Sequence, residues 1–218
     1  MSAISAPIAD LDGRLAAQRA AFLAEGAPDR AARRASLDRL RSAVLSRRGA
    51  LERAVTADFG HRSSHETALM ELASIVQTID YLKRRLRFLM APERRRVAAS
   101  FRFGHAYVTY QPLGVVGIIS PWNYPLSLAL VPLATALAAG NRAMLKPSEH
   151  TPQSSALLRD LIGETFDPAE VAVITGDRNV GVAFAELPFD HLFFTGSTAV
   201  GREVMRAASN HLVPVTLE

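Results

Sequence analysis

The chain has 218 residues, 49% hydrophobic and 21% charged, with a formal net charge of +4 and no cysteine. That length suffices for one substantial core, or one core with a helical annex, and the composition is that of a globular protein. With no cysteine among them, these residues cannot supply disulfides, thiolate metal sites or a thiol nucleophile.

The charge is unevenly spread. Residues 1–102 hold 19 lysines and arginines against 11 acids, and residues 103–218 hold 6 against 10. A basic half can meet nucleic acid or an acidic membrane. Here, however, Arg33-Arg34, Arg47-Arg48, Arg84-Arg85 and Arg94-Arg95-Arg96 are spread between acids on helical segments. A solvated helix face explains them, and no nucleic-acid partner is expected. The N-terminus carries Asp10 and Asp12 among short apolar stretches, without the continuous apolar run of a signal peptide, so a cytoplasmic protein is expected.

In chain order, the first ninety residues read as helices. Leu37, Leu40, Val44 and Leu45 recur at helical spacing. Leu69, Leu72, Ile75, Val76, Ile79, Leu82, Leu86 and Leu89 mark one long amphipathic helix. Ser63 and Glu66 offer a capping box at its start, and Pro92 ends it. From Ser100 to Gln111 the pattern changes to period two, with Phe101, Phe103, Tyr107 and Tyr110 around Gly104-His105, which predicts a hairpin or ribbon. Beyond Gly114, apolar runs alternate with helical patterns. Strands are predicted at Val115–Ser120, Ala143–Lys146, Val171–Thr175, His191–Thr195 and Val213–Glu218, and helices near 125–139, 152–165, 179–186 and 198–209. That alternation predicts an α/β fold with a parallel, doubly wound sheet. Between Arg102 and Arg142 there is no Asp, Glu, Lys or Arg, but Pro112, Pro121, Pro125 and Pro132 interrupt the stretch. A buried strand and helix fit it better than a membrane span.

Several motifs can carry chemistry. Phe193–Gly201 reads as a strand, a glycine turn and a helix start, an arrangement that binds phosphate oxygens through backbone N–H groups. Gly196 would let the backbone approach a ligand, the Ser197 hydroxyl could donate to it, and Gly201 would permit close helix–sheet packing. Arg202-Glu203 stands where a Walker A loop needs Lys-Ser/Thr, so ATP hydrolysis is not expected. Lys146 and Glu149 follow a predicted strand, where a doubly wound sheet presents its ligand edge, and a carboxylate there can accept from ribose hydroxyls. Asn123, held between Pro121 and Pro125, suits an oxyanion donor or simply fills a turn. Glu218 ends an apolar strand, where a buried carboxylate would act as a base near neutral pH. His61 and His65 have helical metal spacing, but the capping box leaves His61 outside the helix, and no metal is expected.

The motifs Ser120-Pro121-Trp122-Asn123-Tyr124-Pro125, Lys146-Pro147-Ser148-Glu149, Phe193–Gly201 and Pro214-Val215-Thr216-Leu217-Glu218, in this order and spacing, resemble the cofactor half of an aldehyde dehydrogenase. The run from Asp190 to Gly201 is similar to the class 3 and fatty-aldehyde branch. Leu187-Pro188-Phe189 and the segment 86–92 are similar to the coniferyl aldehyde dehydrogenases. The resemblance implies a Rossmann-like NAD(P)-binding domain over 112–218, a helical region over 1–98 packing on it, and a β-ribbon oligomerisation arm over 99–111. It implies Asn123 as the oxyanion-hole amide and Glu218 as the general base of thioester hydrolysis. Lys146 and Glu149 would hold the adenosine ribose, with Trp122 on the path to the nicotinamide. Gly196, Ser197, Thr198, Ala199, Val200 and Gly201 would form the pyrophosphate site.

The implied reaction is oxidation of an aldehyde, aromatic by likeness, through a cysteine thioester. The implied cofactor is NAD, with NADP as an option, and the implied assembly is a homo-oligomer, a dimer by family. The nucleophile and its catalytic domain are not in these residues, so the 218-residue chain alone is expected to oxidise no aldehyde. The competing readings are a non-catalytic dinucleotide-binding or assembly module and an acyl-phosphate reductase relative; Trp122-Asn123 and the setting of Glu218 speak against the latter.

Overall fold

The computed structural model describes Ile8 and residues 10–218; the part of the expected helical region on residues 1–7 and Ala9 lies outside them. Three helices come first: α1 (Leu11–Glu25), α2 (Arg30–Ser46) and α3 (Arg48–Phe59). The long helix α4 begins as Ser64–Glu66, passes through a π-helical stretch Thr67–Leu72 and continues as Ala73–Leu89. A two-stranded antiparallel ribbon follows, β1 (Glu93–Arg95) with β2 (Ala106–Val108). The remainder alternates: β3 (Val115–Ile119), α5 (Ser127–Ala139), β4 (Arg142–Lys146), α6 (Pro152–Thr165), β5 (Val171–Val173), α7 (Arg178–Ala185), β6 (His191–Phe194), α8 (Thr198–Ser209) and β7 (Val215–Leu217).

The five later strands form one parallel sheet in the order β5-β4-β3-β6-β7. The chain starts at the centre, winds outward through β4 and β5, then returns to the other side of β3, as a doubly wound Rossmann-like sheet does. Strand alternation sends successive side chains to opposite faces. Val116 and Ile118 of β3 join Ala143 and Leu145 of β4 in a core shared with α2, α3, α4, α5 and α6. Val115, Met144 and Ala172 point the other way, into a core with α1, α7 and α8. Burial on both faces is why these strands read as continuous apolar runs.

The N-terminal helices are built into this sandwich. Leu72, Ile75, Ile79, Leu82 and Leu86 put one face of α4 against α5 and α2, each burial stabilising by roughly 1.5–3 kcal/mol. The buried Gln18 of α1 donates to the carbonyls of Ala143 and Pro168 at 3.1 and 2.9 Å. Arg33 of α2 is buried without a carboxylate partner among the described residues. Its Nη1 donates to the Ala138 and Ala139 carbonyls at 3.3 and 2.7 Å, completing the C-terminus of α5. A cation is favoured at that end of the helix dipole. Gly140 turns the chain with φ +87° just beyond, and any Cβ there would lie 2.6 Å from the guanidinium carbon.

Three local expectations need correction. The ribbon does not turn about Gly104. Ala99–Phe101 is a 3-10 turn, and the partner of Ala106–Val108 comes from Glu93–Arg95, ahead of the expected 99–111 segment. Every residue of β1 is exposed, so no buried face marked that strand in the sequence. Leu69 is 71% exposed although it fits the apolar stripe of α4. The π turn adds a residue, so one turn before Glu71 and Leu72 the inward position falls on Thr67. Ser63 does cap α4, accepting from His65 N–H at 3.2 Å, but Glu66 faces Arg62 at 3.6 Å instead of closing a capping box.

Candidate functional site at the C-terminal edge of the sheet

In an open parallel sheet, ligands bind outside the carboxyl ends of the strands where the winding reverses. Here that point lies between β3 and β6. The ladder continues past both strands: Ser120 N–H donates to Lys146 O and Thr195 N–H to Ile119 O, each at 3.1 Å. Gly196 N–H donates to Glu218 O and Glu218 N–H to Phe194 O, each at 3.0 Å. The structure thus lines up the ends of β4, β3, β6 and β7, and with them the segments holding Lys146 and Glu149, Trp122 and Asn123, Gly196 and Ser197, and Glu218.

Ser197 is the N-cap of α8, its side chain accepting from Val200 N–H at 3.4 Å. First-turn N–H groups have no acceptor within their own helix. Those of Thr198 and Ala199 belong to exposed residues, and free N–H groups at a helix start can bind a phosphate. Gly196 is needed for space: a Cβ there would sit 2.5 Å from Cζ of Phe194. Gly201 is not. An added Cβ would meet Phe194 and Leu217 at 3.5 and 3.8 Å, ordinary contact, so the expectation that it permits close packing is corrected.

Lys146 is 2% exposed. Its Nζ donates to Pro147 O at 2.9 Å and pairs with Glu149 at 3.1 Å. Glu149 is the outer member of this pair. Burial alone would raise its carboxyl, but its own backbone N–H and the Lys146 ammonium hold it below the usual carboxylate value. It therefore presents an ionised hydrogen-bond acceptor.

Asn123 is exposed on the bend between β3 and α5, and the Trp122 ring packs tilted against Phe59 at 6.1 Å between centroids. Glu218 is also exposed, not buried as its apolar strand suggested, because β7 is the outermost strand and one side of it opens onto a cleft. That cleft has a volume of about 670 Å³ and lies between α5 and the strands β3, β6 and β7, with His191, Phe193, Thr195, Thr216 and Glu218 along its floor. His191 bonds Thr216 at 3.0 Å, and burial lowers its pKa. Around the switch point the Ser120 and Thr195 hydroxyls are buried with no hydrogen-bond partner among the described residues. Unpartnered buried hydroxyls at the ends of the two diverging strands are what an incoming polar ligand would satisfy. Sequence reasoning passed over both, since a serine and a threonine closing apolar strands give no signal of their own.

The sequence matches the model of the aldehyde dehydrogenase family over residues 4–218. The chain belongs to the aldehyde dehydrogenase family. It is 50% identical over 211 residues to the probable coniferyl aldehyde dehydrogenase of Pseudomonas aeruginosa, covering 97% of this chain and 44% of that protein. The substrate-bound state of Staphylococcus aureus AldH superposes with a TM-score of 0.92 at 33% identity, over 95% of this chain and 45% of the other. The Mycobacterium tuberculosis aldehyde dehydrogenase complexed with NAD+ gives 0.84 at 32% identity, over 97% and 44%. The chain thus spans less than half the length of these relatives. Among the described residues, no group of three or more His, Cys, Asp or Glu is placed to hold a metal, and no helix is long and apolar enough to cross a membrane.

Proposed function

We propose that this aldehyde dehydrogenase chain supplies the NAD site, the oxyanion amide and the general base for oxidation of an aromatic aldehyde of the coniferyl type to its acid. The observation that carries the reading is the alignment of four strand ends at the switch point, which puts Asn123, the Lys146–Glu149 pair, the Gly196 turn and Glu218 along one edge. The two unpartnered hydroxyls there, and the cramped Gly196 turn running into α8, fit a dinucleotide. Glu149 would accept from the adenosine ribose and, being ionised, would disfavour a 2′-phosphate, so NAD is preferred over NADP. The N–H groups at the start of α8 would hold the pyrophosphate. When bound, NAD+ supplies the hydride acceptor.

Asn123 would donate through its amide to the oxygen that gains charge when the aldehyde carbon becomes tetrahedral. Glu218, open to the cleft, would take a proton from the water that hydrolyses the acyl thioester. The thiol that forms that thioester is not among these residues. The exposed aromatics and unpaired edge of the β1–β2 ribbon support its use as an oligomerisation arm.

The test is NADH formation from coniferyl-type aldehydes by the intact product of the native gene. Asn123→Ala should lower kcat by roughly 10²–10³. Glu218→Gln should leave a first burst of NADH but slow steady turnover, because hydrolysis follows the hydride step. NAD+ binding without NADH formation from any aldehyde would leave a dinucleotide-binding module in its place.

A further inference from the structure

Glu71 is fully buried, and it sits one layer away from the strand edge, on the π-helical stretch of α4. Its Oε2 accepts from the N–H groups of Leu126 and Ser127 at 2.7 and 3.0 Å, while Oε1 is buried without a hydrogen bond among the described residues and faces Nη1 of Arg62 at 3.9 Å. Arg62 comes from the link between α3 and α4, with its side chain 13% exposed. Its Nη1 donates to the Asn123 carbonyl at 2.7 Å, and its guanidinium lies 3.8 Å from the Phe59 ring centre and 5.1 Å from that of Tyr124. Two charged side chains, one from α4 and one from the link before it, therefore grip three backbone groups on either side of the Asn123–Leu126 turn.

Stability is a poor reason for this arrangement. A buried carboxylate with an orphaned oxygen and a long ion pair costs more than a packed apolar side chain would. Capping α5 does not require it either, since an ordinary Ser or Asp at the N-cap would do that work. The N-cap is instead Leu126, which provides no side-chain cap. Glu71 lies beside Leu72 on the inward face of α4, one turn before Ile75 and within the π-helical stretch, and π turns concentrate at functional sites.

We propose that Arg62 and Glu71 are positioning residues that fix the backbone of the Asn123 turn and so aim its amide at the reacting carbonyl oxygen. This rests on the reading of Asn123 as the oxyanion donor. Neither side chain touches substrate. Both act by denying the turn alternative backbone conformations, and small errors in such geometry lower rate far more than they lower binding. A guanidinium stacked on Phe59, whose ring also meets Trp122, extends the same restraint to the neighbouring residue.

Trp122 is the chain's single tryptophan and lies in this turn, so its fluorescence reports the restraint directly. In Glu71→Leu and Arg62→Met, the fast local component of the Trp122 anisotropy decay should grow at least twofold, in protein that circular dichroism shows to be folded. Glu71→Gln, whose amide oxygen can accept both N–H groups, should restore the wild-type decay. In the intact gene product the first two variants should lower kcat at saturating aldehyde by roughly 10- to 100-fold and leave the Kd for NAD+ within about twofold, while Glu71→Gln should keep the wild-type kcat. Unchanged Trp122 motion in the folded variants would overturn the proposal, as would equal losses of kcat and NAD+ affinity. If Glu71→Leu does not fold, Arg62→Met decides alone. A wild-type protein that forms no NADH would overturn the aldehyde-oxidation reading, and the Trp122 measurement on the 218-residue chain would still establish or refute the grip on the turn.

Discussion

Gly196 and Gly201 lie in one motif, and a methyl group should act on them with opposite sign. At Gly196 the added carbon would stand 2.5, 3.1 and 3.3 Å from three atoms of the Phe194 ring. That ring is 4% exposed and belongs to the core with α7 and α8, so it has little room to withdraw. Overpacking of this kind costs about 1–3 kcal/mol, and at this chain length each kcal/mol moves the melting temperature by about 2–4 °C. Gly196→Ala should therefore melt about 2–12 °C lower, and the displaced turn should bind NAD+ more weakly. At Gly201 the methyl would rest in ordinary contact inside the first turns of α8, where alanine is favoured over glycine by about 0.5–1 kcal/mol. Gly201→Ala should melt about 1–4 °C higher. Thermal denaturation followed by circular dichroism, with an NAD+ titration of each variant, measures all of this. Equal destabilisation by both substitutions, or a neutral Gly196→Ala, would refute the steric reasoning.

Other consequences can be checked on the same chain. Arg33→Met removes the guanidinium from the Ala138, Ala139 and Pro28 carbonyls and should lower unfolding free energy by about 2–4 kcal/mol in a denaturant titration. Burial holds His191 below its ordinary 6.5, so the folded state favours the neutral ring. The stability this gives is complete above 6.5 and is lost as pH falls through the lowered value. His191→Gln should flatten that acid limb. Burial pushes the Glu71 carboxyl above its ordinary 4.5, outweighing the Ser127 and Leu126 N–H groups and Arg62, with Glu66 adding to the rise. Its contribution is complete below 4.5 and lost as pH rises through the raised value, so wild type should lose ground to Glu71→Gln across that interval.

The parallel sheet was legible because its central strands β3 and β4 are buried on both faces and lie close to glycine or proline. Val115–Ile119 and Arg142–Lys146 emerge within a residue of their expected bounds, and Gly140 and Pro152 punctuate the neighbouring helices. The strand-end motifs were legible for the same reason, since each follows an apolar run. The ribbon was not, because every residue of Glu93–Arg95 is exposed and alternation without a buried face carries no register. Nor was the grip on the Asn123 turn. Glu71 lies 55 residues from Leu126, and Arg62 lies 61 from Asn123. Their one trace in the sequence is an acid within the apolar stripe of a helix, which a period-based reading counts as an interruption.

The interleaving of the N-terminal helices with the sheet bears on how the chain comes off the ribosome. The inward faces of α2, α3 and α4 share a core with β3, β4 and α6, and Asp58 of α3 holds the first N–H groups of α6, Gln153 and Ser154, at 2.9 and 2.8 Å. None of these partners exists when α4 is completed at Leu89. At synthesis rates of about 5–20 residues per second, roughly 3–13 s pass before the chain reaches Ser154. Through that interval a set of finished helices must carry Leu37, Leu40, Ile75 and Ile79 without the strands that will cover them. Nascent chains arrested between these points should be protease-sensitive and chaperone-bound, and protection should arrive in one step once α6 has emerged.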